Sequence, residues 1–311
     1  MTENREKDRA GAESCPLLGV EHLEVSFLQY ERGWRQKTIV PIRDLSLSVH
    51  AGEMVAVVGS SGSGKSLLAH AVMGLLPYNG SWKGSIRYQG EPLTEKRLRK
   101  LRGREIVLVP QSVSYLDPLM KAGEQVRKGK KDPESRETCR RVLGRYGLGP
   151  ETEERYPFEL SGGMTRRVLI ATAVQEEPRL VIADEPTPGL HMDAARRVMG
   201  HFREIADGGA GVLVITHDLE LAAETADRIV VFYAGTNLEA AAGDFSSEER
   251  LRHPYTRALY RAMPDHGFSA SPGTQPYVEA MPEGCPYGSR CPWFEEACRQ
   301  EVPYRNLREG M

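Results

Sequence analysis

The stretch best equipped for chemistry is GSSGSGKS, which runs from Gly59 to Ser66. Its glycines permit backbone angles that turn successive N–H groups toward one point, and the start of a following helix adds positive potential. The lysine would reach the β- and γ-phosphates of a nucleotide, and the last serine hydroxyl would ligate magnesium. The sequence therefore predicts a nucleotide site made of Gly59, Ser60, Ser61, Gly62, Ser63, Gly64, Lys65, Ser66 and Leu67.

A second candidate site is the acidic pair at the end of RLVIADEP. Asp184 closes an apolar strand pattern, where its carboxylate could hold magnesium directly or through water. Glu185 follows it and could act as the base that orients an attacking water. Such a pair could instead cap the next turn, but a phosphate loop in the same chain favours the catalytic interpretation.

Two further polar residues follow apolar runs. Gln111 ends IVLVPQ and His217 ends VLVITH. Ligands of open α/β sheets gather at the carboxyl ends of the strands. We expect both side chains to contact the γ-phosphate, the metal or the attacking water, the alternative being ordinary loop or capping roles.

The surrounding patterns indicate the elements that position these residues. Residues 20–27 and 42–53 alternate apolar and polar side chains, which predicts an antiparallel sheet. Continuous β-branched runs are typical of strands covered on both faces in a parallel sheet; they lie at 54–59, 106–110, 180–184 and 212–217. Helical patterns follow at 66–76, 164–175, 194–206 and 219–225. Strands alternating with helices predict a doubly wound α/β core.

Composition shifts divide the chain into a flexible tail at 1–16, a main domain at 17–250 and a C-terminal extension at 251–311 that is rich in Pro, Gly and Cys. Within the main domain, about 114–160 is polar and helical and predicts an inserted helical subdomain.

Charge and hydropathy narrow the function classes. The 41 basic and 43 acidic residues give a formal charge of −2, which provides no overall attraction for nucleic acid. No apolar run approaches the ~20 residues that span a bilayer, and the charged N-terminus does not resemble a signal peptide. We therefore expect a cytoplasmic protein or one peripheral to a membrane on that side.

Five motifs together resemble an ATP-binding cassette (ABC): the phosphate loop, Gln111, LSGGM, VIADEP and ITHD, in that order over about Val20 to Gly243. The resemblance implies a P-loop NTPase fold with an antiparallel β subdomain, a parallel-sheet core and a helical subdomain, and ATP with Mg²⁺ as cofactors. It also implies that Ser66, Gln111 and Asp184 are metal ligands, Gln111 sensing magnesium and the membrane partner. Glu185 corresponds to the catalytic base and His217 to the switch histidine.

The signature LSGGM and the adenine contact also follow from the resemblance. In this family the signature loop closes over a nucleotide held by a second cassette, which implies that role for Ser161, Gly162, Gly163 and Met164. Ser161 also suits a simple helix cap, and both descriptions can hold together. Of the aromatic side chains upstream of the phosphate loop we favour Trp34 for base stacking, with Tyr30 and Phe27 as alternatives.

Other stretches resemble the subgroup that serves dipeptide, oligopeptide and nickel importers: SYLDPLM, YPFELSGG, HPYTRAL and GCPYGSRCPWFEEAC. This resemblance implies an ATP-hydrolysing importer subunit at the cytoplasmic face of the membrane. Its implied partners are a second ABC ATPase, most simply in a heterodimer, two membrane permease subunits and an extracytoplasmic solute-binding protein. We favour peptide as the solute, with nickel or a nickel chelate as the alternative.

The sequence departs from the family pattern after DEPT, where His191 replaces the aspartate that communicates across the dimer; Asp193 is a candidate substitute. The resemblance further suggests a metal or iron-sulfur cluster bound by Cys285, Cys291 and Cys298, but a four-thiolate site needs one more ligand, so we favour inert, partly buried cysteines and keep the cluster as the alternative. A non-hydrolysing regulatory subunit is disfavoured by Glu185. A soluble ABC ATPase of translation or DNA repair is disfavoured because the chain has neither a second cassette nor a long coiled-coil insertion.

Overall fold

The computed structural model describes residues 15–30, 34–242 and 247–300 and arranges ten strands in one sheet, in the order β5-β4-β1-β2-β10-β9-β3-β8-β7-β6. The expected flexible tail at 1–16 lies almost wholly outside the described residues. The strands are β1 (Leu18–Tyr30), β2 (Gln36–Val49), β3 (Met54–Val58), β4 (Gly80–Tyr88), β5 (Glu91–Pro92), β6 (Ile106–Val109), β7 (Leu180–Asp184), β8 (Gly211–Thr216), β9 (Arg228–Tyr233) and β10 (Thr236–Ala242).

Half of the sheet is parallel, as the continuous apolar runs predict. Strands β6, β7, β8, β3 and β9 pair in parallel, and every residue of β3, β7 and β8 is buried. Strands buried on both faces can carry apolar side chains at successive positions. The carboxyl ends of β3, β8, β7 and β6 therefore lie along one edge of the sheet.

The other half is antiparallel, which confirms the expectation from the alternating patterns. β1 pairs with β2 and β4, and β4 pairs with β5. β10 joins the halves because it pairs antiparallel with β9 and makes one parallel pair with β2, between Thr236 and Asp44.

Eight α-helices accompany the sheet in the described residues: α1 (Lys65–Val72), α2 (Glu95–Leu101), α3 (Ala122–Val126), α4 (Pro133–Arg145), α5 (Gly162–Val174), α6 (Met192–Asp207), α7 (Leu219–Thr225) and α8 (Pro254–Arg261). The helix predicted at 66–76 ends earlier, at Val72. Gly74 has φ of 60°, and the Leu75 N–H bonds to the His70 carbonyl at 2.7 Å. A left-handed glycine of this kind ends a helix without steric cost.

The segment between β6 and β7 forms the helical part of the fold. α4 begins with Asp132, whose side chain accepts a hydrogen bond from the Ser135 N–H, and with Pro133 in its first turn. Glu153 pairs with Arg127 at 2.9 Å and with Arg140 at 3.1 Å, which ties the helices of this segment together. One apolar core joins α4 and α5 to one face of the parallel strands.

The C-terminal extension shares a core with the sheet. Tyr255 of α8 and Tyr287 pack with Tyr233 of β9, at ring-centroid distances of 4.3 and 5.7 Å from it. The same cluster contains Val58 of β3 and Leu251. The change of composition after His253 therefore marks a region that packs on the parallel strands.

Within the described ranges, no helix is long and apolar enough to cross a membrane.

Candidate active site

The phosphate loop leaves the carboxyl end of β3 and enters α1. Gly59 lies so close to β9 that an added Cβ would stand 2.0 Å from the Phe232 carbonyl oxygen. Gly62 and Gly64 have φ of 76° and 99°, in the region that glycine adopts without strain. The hydroxyl of Ser63 is buried and has no hydrogen-bond partner. A glycine-lined turn with an unpartnered buried hydroxyl at a helix start suits a bound phosphate.

Lys65 is 5% exposed, and its ammonium donates hydrogen bonds to the carbonyls of Gly59 and Ser60, each at 2.8 Å. Burial lowers the pKa of Lys65, while the carboxylates of Glu185 and Asp184 oppose that shift. The ammonium is thus bound to the loop through two neutral carbonyls. It could exchange these carbonyls for phosphate oxygens, which are stronger acceptors because they are charged.

Ser66 and Asp184 lie together, as the magnesium prediction requires. The Ser66 hydroxyl donates to Asp184 Oδ1 at 2.9 Å. Burial raises the pKa of Asp184, and the hydrogen bond from Ser66 opposes that shift. A hydroxyl and a carboxylate oxygen are ligands that Mg²⁺ prefers, so these side chains fit the ion.

Glu185 and His217 form a second pair at the same edge. His217 Nδ1 lies 2.7 Å from Glu185 Oε2, and the Glu185 N–H donates to the Ile215 carbonyl of β8 at 2.8 Å. Glu185 has φ of 47°, a left-handed conformation that costs a non-glycine residue roughly 1 kcal/mol. The carboxylate is buried and the imidazole is exposed. A carboxylate fixed by its backbone and by a histidine can orient a water molecule.

Gln111 is exposed just beyond β6, and a buried arginine holds its backbone. Arg166 of α5 donates to the carbonyls of Pro110 and Gln111. Burial lowers the pKa of Arg166, and no ion pair to it occurs among the described carboxylates. The sequence carries no local signal for this link between α5 and the Gln111 loop, because Arg166 is one of two consecutive arginines near the start of a helix.

The signature residues lie at the start of α5. Ser161 caps the helix by accepting a hydrogen bond from the Met164 N–H at 3.3 Å. Gly162 is exposed, and nothing lies within 4 Å of where its Cβ would be. Arg167 bonds to the Gly163 carbonyl and to the Tyr146 carbonyl of the helical segment. Arg167 therefore holds the backbone of the signature loop, while Gly162 is exposed and accessible to a second chain.

The aromatic candidates for adenine stacking occupy different environments. Trp34 is 96% exposed and precedes β2, and Tyr30 is also exposed at the end of β1. Phe27 is half-buried against the antiparallel subdomain and lies close to Gly80. Stacking by Trp34 stays a prediction.

His191 is the N-cap residue of α6 and makes no side-chain capping hydrogen bond. Both His191 and Asp193 are exposed. Arg196, on the same helix, pairs with Glu224 of α7 at 2.9 Å.

The three tail cysteines do not form a preassembled metal site. Cys285, Cys291 and Cys298 are free and half-buried, and Cys285 Sγ lies 3.8 Å from His253 Nε2. Across residues 15–30, 34–242 and 247–300, no group of three His, Cys, Asp or Glu side chains is arranged to hold a metal ion. As placed here the cysteines do not fit an iron-sulfur cluster, and no chemistry is derived from one.

The C-terminal extension also reaches the phosphate loop. The Ser60 N–H donates to Tyr255 Oη at 3.2 Å, and the Ser60 hydroxyl donates to Gln275 Oε1 at 2.6 Å. The sequence carries no local signal for these contacts, because the partners are 195 and 215 residues apart.

Comparisons with known proteins agree with the geometry. A family model described as ABC transporter matches residues 42–188, and a model described as the C-terminal region of oligopeptide/dipeptide transporters matches residues 246–298. A putative peptide import ATP-binding protein of Brucella abortus is 34% identical, over 96% of this chain and 93% of the relative. The oligopeptide transport ATP-binding protein of Escherichia coli is 34% identical, over 94% and 91%. Among solved structures, a dimeric ATP-binding cassette in a post-hydrolysis state with ADP and Pi is 26% identical, with a TM-score of 0.62 over 72% of this chain and 98% of that one.

Proposed function

This chain belongs to the ABC transporter family and carries the C-terminal region of oligopeptide and dipeptide transporters, and from that premise we propose that it hydrolyses Mg²⁺-ATP at the site described above to drive the import of peptides. The observation that carries the proposal is the convergence of three features at neighbouring strand ends. These are Lys65 after β3, the Ser66–Asp184 pair and the Glu185–His217 pair after β7 and β8.

Each side chain has a defined task in this proposal. Lys65 exchanges its loop carbonyls for oxygens of the β- and γ-phosphates. Glu185 orients the attacking water and accepts its proton as the new bond to the γ-phosphorus forms and the bond from that phosphorus to the departing ADP oxygen breaks, while His217 holds the Glu185 carboxylate. Ser66, Asp184 and Gln111 would hold Mg²⁺, which would neutralise charge on the phosphate oxygens.

The signature loop serves a second cassette. Ser161, Gly162, Gly163 and Met164 lie at the start of α5, where Ser161 and Gly162 are exposed. We assign them to the nucleotide held by a partner ATPase, in a dimer of the kind that the solved cassette forms. His191 is exposed at the start of α6, where the resemblance implies an aspartate, and this departure is compatible with two unequal nucleotide sites, so a heterodimer is the arrangement we propose.

The remaining subunits are proposed from the importer class to which the relatives belong. Peptide import and oligopeptide transport are named for the Brucella and E. coli relatives. We propose the same solute class here, with two membrane permeases, an extracytoplasmic solute-binding protein and a peripheral place at the cytoplasmic membrane face. Trp34 remains our proposed adenine contact. The tail cysteines are assigned no role, and iron and acid-labile sulfide in anaerobically purified protein test that choice.

The decisive experiment uses the whole complex. The tagged chain is purified from native membranes in mild detergent, its partners are identified by mass spectrometry, and ATP hydrolysis is measured after reconstitution with the binding protein. We expect a second cassette ATPase, two multi-span proteins and hydrolysis stimulated by peptide.

Two variants test the role of the phosphate site independently of subunit assembly. Lys65→Ala should abolish hydrolysis, whereas Lys83→Ala, which removes an exposed ion pair with Glu24, should not. Full ATPase activity of Lys65→Ala would contradict the proposed phosphate site. Stimulation by a nickel chelate in place of peptide would contradict the proposed peptide solute.

A further inference from the structure

The C-terminal extension binds the second residue of the phosphate loop through both of its hydrogen-bond donors. The Ser60 N–H donates to Tyr255 Oη at 3.2 Å, and the Ser60 hydroxyl donates to Gln275 Oε1 at 2.6 Å. Tyr255 lies on α8 and Gln275 lies in the loop after it. Two separate parts of the extension therefore meet at one residue of the nucleotide site.

Tyr255 is held firmly in the fold. It is 3% exposed, and its ring packs 4.3 Å from the ring of Tyr233 and 5.3 Å from that of Tyr287. Its N–H donates to His253 Nδ1 at 3.0 Å, which fixes the first turn of α8. A buried hydroxyl with so little freedom fixes the position of the group that it binds.

The loop that carries Gln275 is fixed by Arg290. The guanidinium donates to the Pro272 carbonyl at 2.8 Å and to the Ser271 carbonyl at 3.2 Å. It also donates to Tyr233 Oη at 3.2 Å. The Gln275 loop and the Tyr255 helix are thus attached to the same strand end, β9, which also supports Gly59 through Phe232.

Ser60 connects this scaffold to the lysine of the site. Its carbonyl accepts a hydrogen bond from Lys65 Nζ at 2.8 Å, while its N–H and hydroxyl are bound by the extension. Any displacement of Ser60 would therefore move an acceptor of Lys65 and the start of the glycine turn together.

We propose that Tyr255 and Gln275 are positioning residues of the phosphate loop, through which the C-terminal extension sets the affinity for ATP. The inference rests on the proposed function, because it assumes that this loop binds ATP. Neither side chain needs to contact the nucleotide. Their contribution is to hold Ser60 in the conformation that the bound loop uses, so that binding does not have to order it.

The test compares variants of the full chain in the assembled transporter. Tyr255→Phe removes the acceptor for the Ser60 N–H, and Gln275→Ala removes the acceptor for its hydroxyl. Tyr88→Phe is the matched control, because it removes a buried tyrosine hydroxyl that donates to Glu105 at 3.1 Å and to neither the phosphate loop nor the Gln275 loop. Dissociation constants are measured with a fluorescent ATP analogue, and KM and kcat are measured for ATP.

We expect Tyr255→Phe and Gln275→Ala each to raise the dissociation constant and KM by about threefold to tenfold, the effect of losing one hydrogen bond. The kcat should change by less than about twofold, and Tyr88→Phe should leave all three constants near those of the wild type. Equal effects of Tyr88→Phe, or unchanged affinity in both test variants, would overturn the proposal.

A double-mutant cycle tests the route through Ser60. If Gln275 acts through the Ser60 hydroxyl, Gln275→Ala should have no further effect in a Ser60→Ala background, whereas additive effects would contradict that route. The cycle also covers the case in which Tyr255→Phe fails to fold. A wild-type complex that does not bind ATP would refute the proposed function itself, a result distinct from failure of the positioning role.

Discussion

Nδ1 of His217 lies 2.7 Å from Oε2 of Glu185, and the two residues follow the neighbouring strands β8 and β7. The backbone of Glu185 is bound to β8 as well, through the Ile215 carbonyl. The carboxylate is therefore located by the sheet on one side and by an imidazole on the other. Groups that act as a unit in this way give non-additive kinetic effects when they are removed.

Glu185→Gln should lower the kcat for ATP hydrolysis by about 100-fold or more, because the amide keeps the shape but cannot accept the proton of the attacking water. ATP binding should persist. His217→Ala should also lower kcat, and the double variant should be little slower than the slower single variant. Steady-state hydrolysis and nucleotide binding by the assembled transporter measure these effects, and fully additive losses would show that the pair does not act together.

Arg166→Met should lower kcat several-fold while leaving the ATP dissociation constant nearly unchanged. The substitution removes the donors that hold the Pro110 and Gln111 carbonyls, and thereby the position of the proposed metal ligand. Arg99→Met is a suitable control, since Arg99 is exposed and its one ion pair among the described residues is with Glu95, one helical turn away. A loss of ATP affinity without loss of kcat would assign Arg166 to the phosphate loop instead.

Gly59→Ala should destabilise the protein by about 2 to 4 kcal/mol. The added Cβ would stand 2.0 Å from the Phe232 carbonyl oxygen, a backbone atom that cannot rotate away. Gly162→Ala, on a helix and with open space around its Cβ, should leave the free energy of unfolding unchanged or slightly raised. Denaturant unfolding of both variants checks this expectation, and a Gly59→Ala protein of wild-type stability would mean that β9 can move away from the loop.

Cys139 should resist alkylation by iodoacetamide at pH 8 in the native protein. Burial, with a smaller contribution from the Glu153 carboxylate, raises its pKa to about 11, so almost no reactive thiolate is present. Cys15 is exposed and should react first. Peptide mass spectrometry after timed labelling, with and without denaturant, distinguishes the two thiols.

The same pKa predicts a loss of stability in alkali. An unfolded cysteine, with an ordinary pKa of about 9.0, releases its proton earlier than folded Cys139 does, so the unfolded state binds fewer protons between about pH 9 and pH 11. The free energy of unfolding should therefore fall over that window by up to about 2 to 3 kcal/mol. Cys139→Ala should lack this component, and equal slopes in both proteins would contradict the assigned pKa.

Much of the site could be predicted because its signals are local. GSSGSGKS lies between a buried strand and a helix, and Asp184 and Glu185 end an apolar run. The carboxyl ends of neighbouring parallel strands lie at the same edge of the sheet, whatever the conformation of the loops that follow them. The parallel and antiparallel halves of the sheet likewise followed from the burial of one or both strand faces.

The contacts that could not be predicted join distant segments. Gly59 fits against Phe232, and Ser60 is bound by Tyr255 and Gln275. Nothing in the local pattern of HPYTRAL indicates that its tyrosine faces a phosphate loop, because packing of α8 on β9 decides it. Arg166 is similar: only the structure shows that this member of a basic run is buried beneath the Gln111 loop.

The aromatic cluster of Tyr233, Tyr255 and Tyr287 has a consequence for chimaeras of this chain. Exchanging roughly the last sixty residues for those of a relative would replace two of the three rings and both side chains that accept hydrogen bonds from Ser60, while leaving β9, against which the rings pack. Such a hybrid would be expected to express and fold only when the donor supplies matching rings, and to bind nucleotide normally only when it also supplies acceptors for Ser60. The ATPase domain and the C-terminal extension should therefore be exchanged together and not separately, even though they match separate family models.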